Sequence, residues 1–445
     1  MPGWQGEANT AFASWQNGTL VVNVPGNCNQ QWQCQVKLHT QGIVLSADQR
    51  YVFRCRMHTA RAISMVTIKL FDDQELYIDS QCHLDAGDNT VQTAPFLGGS
   101  VGNGIIVFDF GFAQQGDVIT ITNIELMANE DTPTTPSEPD DEGFSLVWNE
   151  EFTDGALDRC AWNIEVNGDG GGNNELQYYC EKGVSVERDP VEGKHCLVLT
   201  ARKEDYMGKT CTSGRVTTQN RVTFQYGKVE ARIWFPQTAN GLWPAFWMLG
   251  NNLATDLGND DSVDQQADAL AAQGRVVWPK CGEIDIVEMG HKDGIDKGLQ
   301  DRYFNGAAHW GEAFNDGHYP NRAGVCEAPY SVQGDFHLYT LVWTPDTLAM
   351  YLDQDKYPDV APYFALSLRN KDINEPGHYF NHPFYLVFNL AVGGFFPGLP
   401  TTPKYPEVVT ADDPNFRQIT ALPADGTPVK MYVDWVRVWG MNEEL

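Results

Sequence analysis

At 445 residues the chain exceeds one ordinary core and is long enough for two domains that each bury their own. Aromatic residues make up 12% and glycine occupies 42 positions, while few stretches carry the period of an amphipathic helix, so an all-β protein of short strands and turns is expected. A formal charge of −29, from 59 acidic against 30 basic residues, repels phosphate backbones and anionic membranes, which excludes nucleic acid as a partner and favours an uncharged ligand.

The N-terminus, Met1-Pro2-Gly3-Trp4, lacks the basic and apolar regions of a signal peptide and reads as the start of a chain whose export signal has been removed. Runs at 20–24, 51–55, 65–70 and 118–122 are short, β-branched and bounded by Gly, Asn or Asp, the pattern of a β-sandwich over residues 1–128. Residues 129–143 hold three prolines, six acids and no large apolar side chain, and are expected to be an extended linker. Similar strand runs recur at 228–234, 339–343 and 431–439, so residues 144–445 should form a second, larger sandwich. Residues 251–276 break the pattern as a polar insertion with a short helix expected near 264–272. No apolar run approaches about 18 residues, so no membrane span is expected.

The ten cysteines divide into four before the linker and six after it, with no CxxC pair, which removes zinc-ribbon and thioredoxin readings. Even counts are compatible with disulfides in an exported protein, and equally with buried thiols. The Gly208-Lys209-Thr210 triplet lacks the upstream glycine of a phosphate-binding loop, and Gly170-Gly171-Gly172 precedes no helix, so no nucleotide is implied.

The most informative stretch is Gly282-Glu283-Ile284-Asp285-Ile286-Val287-Glu288, in which three carboxylates interrupt an apolar strand. Burying them costs several kcal/mol, so either the strand shows a solvated acidic face or the acids do chemistry. In a regular strand Glu283 and Asp285 share a face and Glu288 points away; one β-bulge at Ile286–Val287 would bring all three together. Two carboxyls then suit a retaining glycosidase, Glu283 as nucleophile and Glu288 as acid/base, with Asp285 between them sharing a proton with Glu283.

This heptapeptide resembles the signature of glycoside hydrolase family 16 in its laminarinase-like form. The resemblance runs in order through the motifs at 146–152, 172–179, 226–232, 242–250 and 389–394, and covers roughly residues 144–440. It implies a β-jelly-roll with a concave cleft, retaining hydrolysis, and endo-action on β-1,3- or mixed β-1,3-1,4-glucans such as laminarin, lichenan and cereal β-glucan. Trp243 and Trp247, four apart on one strand face, can stack on glucose rings or serve as core aromatics. By resemblance, Asn174 and Arg215 would hydrogen-bond sugar hydroxyls, His309-Trp310 would sit near the acid/base, and Asn389 is a further substrate contact. Chemistry of this kind requires no cofactor; by resemblance, a structural calcium ion on the convex side would use Glu151 and Asp434 with main-chain oxygens, hard ligands suited to it, unless these acids are only surface groups. The insertion at 251–276 departs from the family and leaves linkage preference open.

Residues 1–128 are similar, less specifically, to carbohydrate-binding modules of the family 4 and 9 type, through the 18–24 segment, Trp32 with Gln35, Leu45 and Tyr51. There Trp4, Trp15 and Trp32 are stacking or core residues. An extracellular monomer acting on a neutral β-glucan is the expectation. The alternatives are a glycosidase of the same fold acting on agar, carrageenan or xyloglucan, and a non-catalytic glucan receptor, which would typically lack the glutamates.

Overall fold

The computed structural model describes residues 12–441 except 129–142, 255–273, 399–421 and short stretches at 17, 27–33, 40–42, 46–49, 72–75, 94–95, 98–99, 102–103, 154, 239–240 and 315–316. The expected linker, apart from Gly143, the helix expected near 264–272, and Trp4 and Trp32 lie outside the described residues. Within them the chain is built almost wholly of antiparallel strands and forms two compact units.

The first unit holds the strands from Ala13 to Ala128, and two short segments, 158–163 and 220–222, group with it. One sheet runs in the order Ala13–Gln16, Thr19–Asn23, Val118–Ala128, Arg50–Thr59, Gly87–Gln92; the other runs Gln35–His39, Ile105–Asp109, Ile63–Phe71, Leu76–Leu84. Strict alternation assigns the inner faces: Leu20 and Val22 are buried on one strand, Val36 and Leu38 on another. These meet Phe53, Met57, Ile68, Leu70, Ile106 and Phe108 in one core, where the Phe53 and Phe108 rings lie 5.9 Å apart. Trp15 stands on the outer strand and is 39% exposed.

In the second unit one sheet is ordered Lys209–Ser213, His195–Tyr206, Val429–Met441, Gly227–Trp234, Phe336–Trp343, Thr347–Leu352, Phe364–Ser367. The other is ordered Arg215–Thr217, Phe384–Val392, Leu242–Gly250, Glu283–Met289, Tyr303–His309, Asn321–Glu327. The two pack face to face through aromatic contacts such as Phe304 on Tyr339 and Trp343 on Phe384. Gly227–Trp234 buries every second residue, whereas Phe384–Val392, in the middle of its sheet, is buried at all nine positions. The cysteines among the described residues carry free thiols, all buried but Cys326, so the disulfide alternative has no support there.

Candidate active site

The strand Glu283–Met289 is flanked by Leu242–Gly250 and Tyr303–His309, and its register against both is broken once. Opposite Leu242–Gly250, Glu283 faces Leu249 and Asp285 faces Trp247, but Val287 then faces Phe246 and Glu288 faces Ala245, so Ile286 is one residue too many. Against the other neighbour, Asp285 pairs with Ala307 and Glu288 with Asn305. This is the bulge expected at Ile286–Val287, and its consequence is the expected one: Glu283, Asp285 and Glu288 all lie on the face shared by Ala245, Trp247 and Leu249. Gly282 starts the strand at φ +75, where a Cβ would come within 2.8 Å of the Phe384 ring; only glycine allows that approach.

Unbroken pairing between Leu242–Gly250 and Phe384–Val392 extends these rows across the sheet. Arg215, Asn389, Ala245, Glu288 and Asn305 stand side by side in one row, and Glu283 stands beside His309 two rows away. Trp243 and Trp247 project from the same face because no bulge interrupts their strand.

Each glutamate has an indole N–H as a partner. Trp278 Nε1 donates to Glu283 Oε2 at 2.8 Å, and Trp243 Nε1 donates to Glu288 Oε1 at 3.1 Å. His309 Nε2 is 3.2 Å from Asp285 Oδ2 and 4.0 Å from Glu283 Oε1. Burial pushes Glu283 up, reinforced by the negative charge of Asp285 and opposed by His309 and the Trp278 N–H. Glu288 is pushed well up by burial and then by the charge of Asp285. Burial raises Asp285 too, while its hydrogen bond with Glu283 opposes the rise. No arginine or lysine pairs with these three carboxylates among the described residues.

Around this trio lies a second layer. Trp247 Nε1 donates to Asn389 Oδ1 at 2.7 Å, Asn389 Nδ2 reaches the Tyr179 hydroxyl at 3.1 Å, and that hydroxyl donates to Glu175 Oε2 at 2.9 Å. The Arg215 guanidinium lies 4.9 Å from the Trp247 ring and pairs with Glu165 at 3.1 Å. Trp243 stacks one face on Phe396 at 4.8 Å and is only 9% exposed, so it is held as a donor to Glu288 more than offered as an open platform. Asn174 sits half-buried at φ +56 in the turn that joins Gly170 to Glu175.

Two expectations meet a different arrangement. In the His309-Trp310 pair only the histidine faces the acids: the Trp310 ring is buried against Phe380, because successive residues leave a strand on opposite sides. Glu151 and Asp434 belong to the other sheet's side of the unit and already have cationic partners. Arg437 grips Glu151 through Nε at 2.8 Å and Nη2 at 3.1 Å, and Arg232 Nη1 donates to Asp434 at 2.5 Å with Lys194 at 3.7 Å. Each carboxylate therefore already has a cationic partner with which a calcium ion would have to compete. A tighter donor set is Glu283, Asp285 and His309, with one donor atom each within 4.8 Å of one another.

Sequence reading missed Trp278, Glu175, Tyr179 and Phe396 as parts of this layer. Trp278 lay five residues before Glu283 and Glu175 lay inside a quoted motif, so proximity to the signature was a usable signal; nothing local marks Phe396.

A fold of two packed antiparallel sheets, with three acids gathered on one face by a bulge, can be compared with known proteins. Residues 176–366 match the model of glycosyl hydrolases family 16. A beta-glucanase of Rhodothermus marinus is 30% identical over 302 residues, 66% of this chain and 85% of that protein. A glucan endo-1,3-beta-glucosidase of Cryptopygus antarcticus is 33% identical over 267 residues, 58% of this chain and 84% of that protein. The solved structure of a Bacteroides ovatus mixed-linkage-glucan family 16 protein, in complex with a G4G4G3G product, is similar with a TM-score of 0.50 and 32% identity over 65% of this chain and 99% of that one. With the family model and the Bacteroides structure naming one family, and a 30% identical beta-glucanase matched over 85% of its length, the chain belongs to glycosyl hydrolases family 16 and is a glycoside hydrolase.

Proposed function

We propose that this hydrolase cleaves β-1,3- or mixed β-1,3-1,4-glucans from within the chain, with retention of anomeric configuration. The observation that carries the reading is the bulge, which turns Glu288 onto the face of Glu283 and Asp285, where no arginine or lysine pairs with the three acids among the described residues.

Glu283 attacks the anomeric carbon while Glu288 protonates the departing glycosidic oxygen; Glu288 then takes a proton from water as that water displaces the sugar from Glu283. Raised by burial and by its neighbours' charge, Glu288 is suited to hold a proton at neutral pH and donate it. Glu283 needs the opposite state. The Trp278 N–H and the nearby imidazole of His309 favour its carboxylate, and Asp285 takes up the proton the pair shares. Arg215, Asn389 and Trp247, fixed to one another beside Glu288, would hold sugar hydroxyls and a ring face; Asn174 would reach the same chain from its turn.

The relatives named beta-glucanase and glucan endo-1,3-beta-glucosidase support the substrate class, and the complete trio favours an enzyme over a receptor. For the first unit we propose binding of the same polysaccharide, as in family 4 and 9 modules, with Trp15 as a solvent-facing ring that can stack on sugar. An enzyme so equipped would work outside the cell, as a monomer.

Product profiling on laminarin, barley glucan and carboxymethylcellulose, with anomeric configuration followed by NMR, tests this. Oligosaccharides of initial β-configuration from the first two are expected. Initial α-products would exclude double displacement, and no products from any neutral glucan would exclude the substrate class.

A further inference from the structure

The bulge that gathers the acids has a cost on the opposite face of the sheet. An extra residue leaves part of the ladder unpaired, and a buried carbonyl without a donor is unfavourable. At Ile286 that carbonyl is met by a side chain from outside the sheet: the Tyr363 hydroxyl donates to Ile286 O at 2.5 Å.

Tyr363 precedes the strand Phe364–Ser367 of the opposite sheet, and its own N–H is tied to Met350 O at 2.9 Å. Its ring meets Phe304 edge-on, with centroids 5.0 Å apart and planes at 83°. Room for it comes from a cross-strand glycine pair, Gly306 opposite Gly324. A Cβ on Gly306 would lie 2.9 Å from Tyr363 Cε2 and 2.6 Å from Met350 Sδ, and a Cβ on Gly324 would lie 2.6 Å from Tyr363 O. Asn305, Ala307 and His309 share the face of the acids, so Gly306 is on the other face and Tyr363 approaches from the core side. Burial also pushes the hydroxyl's pKa well up, which keeps it a donor.

We propose that Tyr363, seated in the Gly306–Gly324 notch, is a positioning residue for catalysis: through the Ile286 carbonyl it holds the bulge that sets Glu288 against Glu283. It touches neither acid nor substrate. The proposal rests on the reading of Glu283 and Glu288 as the reacting carboxylates.

The test is Tyr363→Phe in the full chain, assayed on laminarin or barley glucan, whichever the wild type cleaves. Because displacement of a reacting group by about 1 Å can cost two orders of magnitude, kcat should fall about 10- to 100-fold. KM should change little, and the limits of the kcat–pH curve should move, since the spacing of the acids sets their coupling. Placing 4-aminophenylalanine at position 363 keeps the ring and a weaker donor and should restore part of the loss. A purely structural role would lower Tm while leaving kcat per folded molecule and the pH limits as in wild type, and that result overturns the proposal. If the Phe variant does not fold, the aminophenylalanine enzyme serves instead: an intermediate kcat with moved pH limits supports the proposal, and wild-type values refute it. Glu283→Gln run alongside separates the two failures. Activity in that variant sinks the reading of the acids, whereas an inactive Gln variant beside a wild-type-like Phe variant sinks only the role of Tyr363.

Discussion

Two of the places where the second unit buries carboxylates have opposite surroundings. Asp353, 1% exposed, accepts from His337 Nδ1 at 2.7 Å, from the Leu338 N–H and the Tyr330 hydroxyl at 3.0 Å, and from Lys356 at 3.2 Å. Burial alone would raise it, but the His337 bond, the Leu338 N–H and the two cationic groups hold it down to about 2. The trio on the bulged strand has single indole donors and one imidazole, and Asp285 Oδ2 makes no hydrogen bond. Every satisfied lone pair at Asp353 commits that acid to structure. At Glu283, Asp285 and Glu288 the donors are few, and the protons stay mobile where a glycosidic oxygen needs one.

Single amides should separate the two sites. Glu283→Gln removes the attacking oxygen, so kcat should drop roughly 10⁴-fold or more, while Tm should rise because a neutral group no longer resists burial. Asp353→Asn should do the reverse: kcat per folded molecule is unchanged, and stability falls by about 1–3 kcal/mol as the buried His337 ring and the Leu338 N–H lose a charged acceptor. Initial rates and calorimetry on both variants read this directly. Turnover in the Gln variant at the wild-type rate would remove the mechanism, and an unmoved Tm in the Asn variant would erase the contrast.

How much of this could be read beforehand follows the range of each interaction. Strands at 228–234 and 431–439 were legible because a period of two is a local property of the chain. The trio was legible because three acids in an apolar run conflict with burial, and parity showed that a bulge at Ile286–Val287 would bring Glu288 to the face of the other two. Asp353 was invisible: one aspartate after a strand looks like any turn residue, and His337 and Leu338 become its neighbours only when Phe336–Trp343 pairs with Thr347–Leu352. The Asn389–Tyr179 bond spans 210 positions, and Trp243 and the Phe396 it stacks on are also far apart in sequence, so no local pattern encodes either. Trp310 was expected beside the acids from the resemblance of the His309-Trp310 pair to the family's, whereas strand alternation turns it the other way.

The same comparison predicts opposite pH dependences. For the trio the folded pKa values are raised, so between about pH 4 and the raised values the native state holds more protons than the unfolded chain, and stability falls as pH rises through that window. For Asp353 the folded value of about 2 lies below an unfolded value of about 3.9, so its contribution, roughly 2 kcal/mol, is present above pH 4 and is lost as pH falls toward 2. Plotted from pH 3 to 8, the Tm of Glu283→Gln should decline less on the alkaline side than that of wild type, and Asp353→Asn should decline less on the acid side. Parallel curves for all three proteins would mean that neither site titrates as described.

The smallest expected effect concerns Glu151 and Asp434, which side with Asp353 in this comparison. Asp434 is 5% exposed and held by Arg232, which also binds Glu192 at 2.6 Å, while Glu151 is clasped by Arg437. A divalent ion at either carboxylate would have to displace a guanidinium whose charge already offsets the acid, which leaves little net gain. Chelation followed by calcium addition should therefore leave Tm where it was. A calcium-dependent rise in Tm in wild type that persists in Glu151→Gln would locate a cation on other oxygens, and one abolished by that substitution would show that the ion outcompetes Arg437.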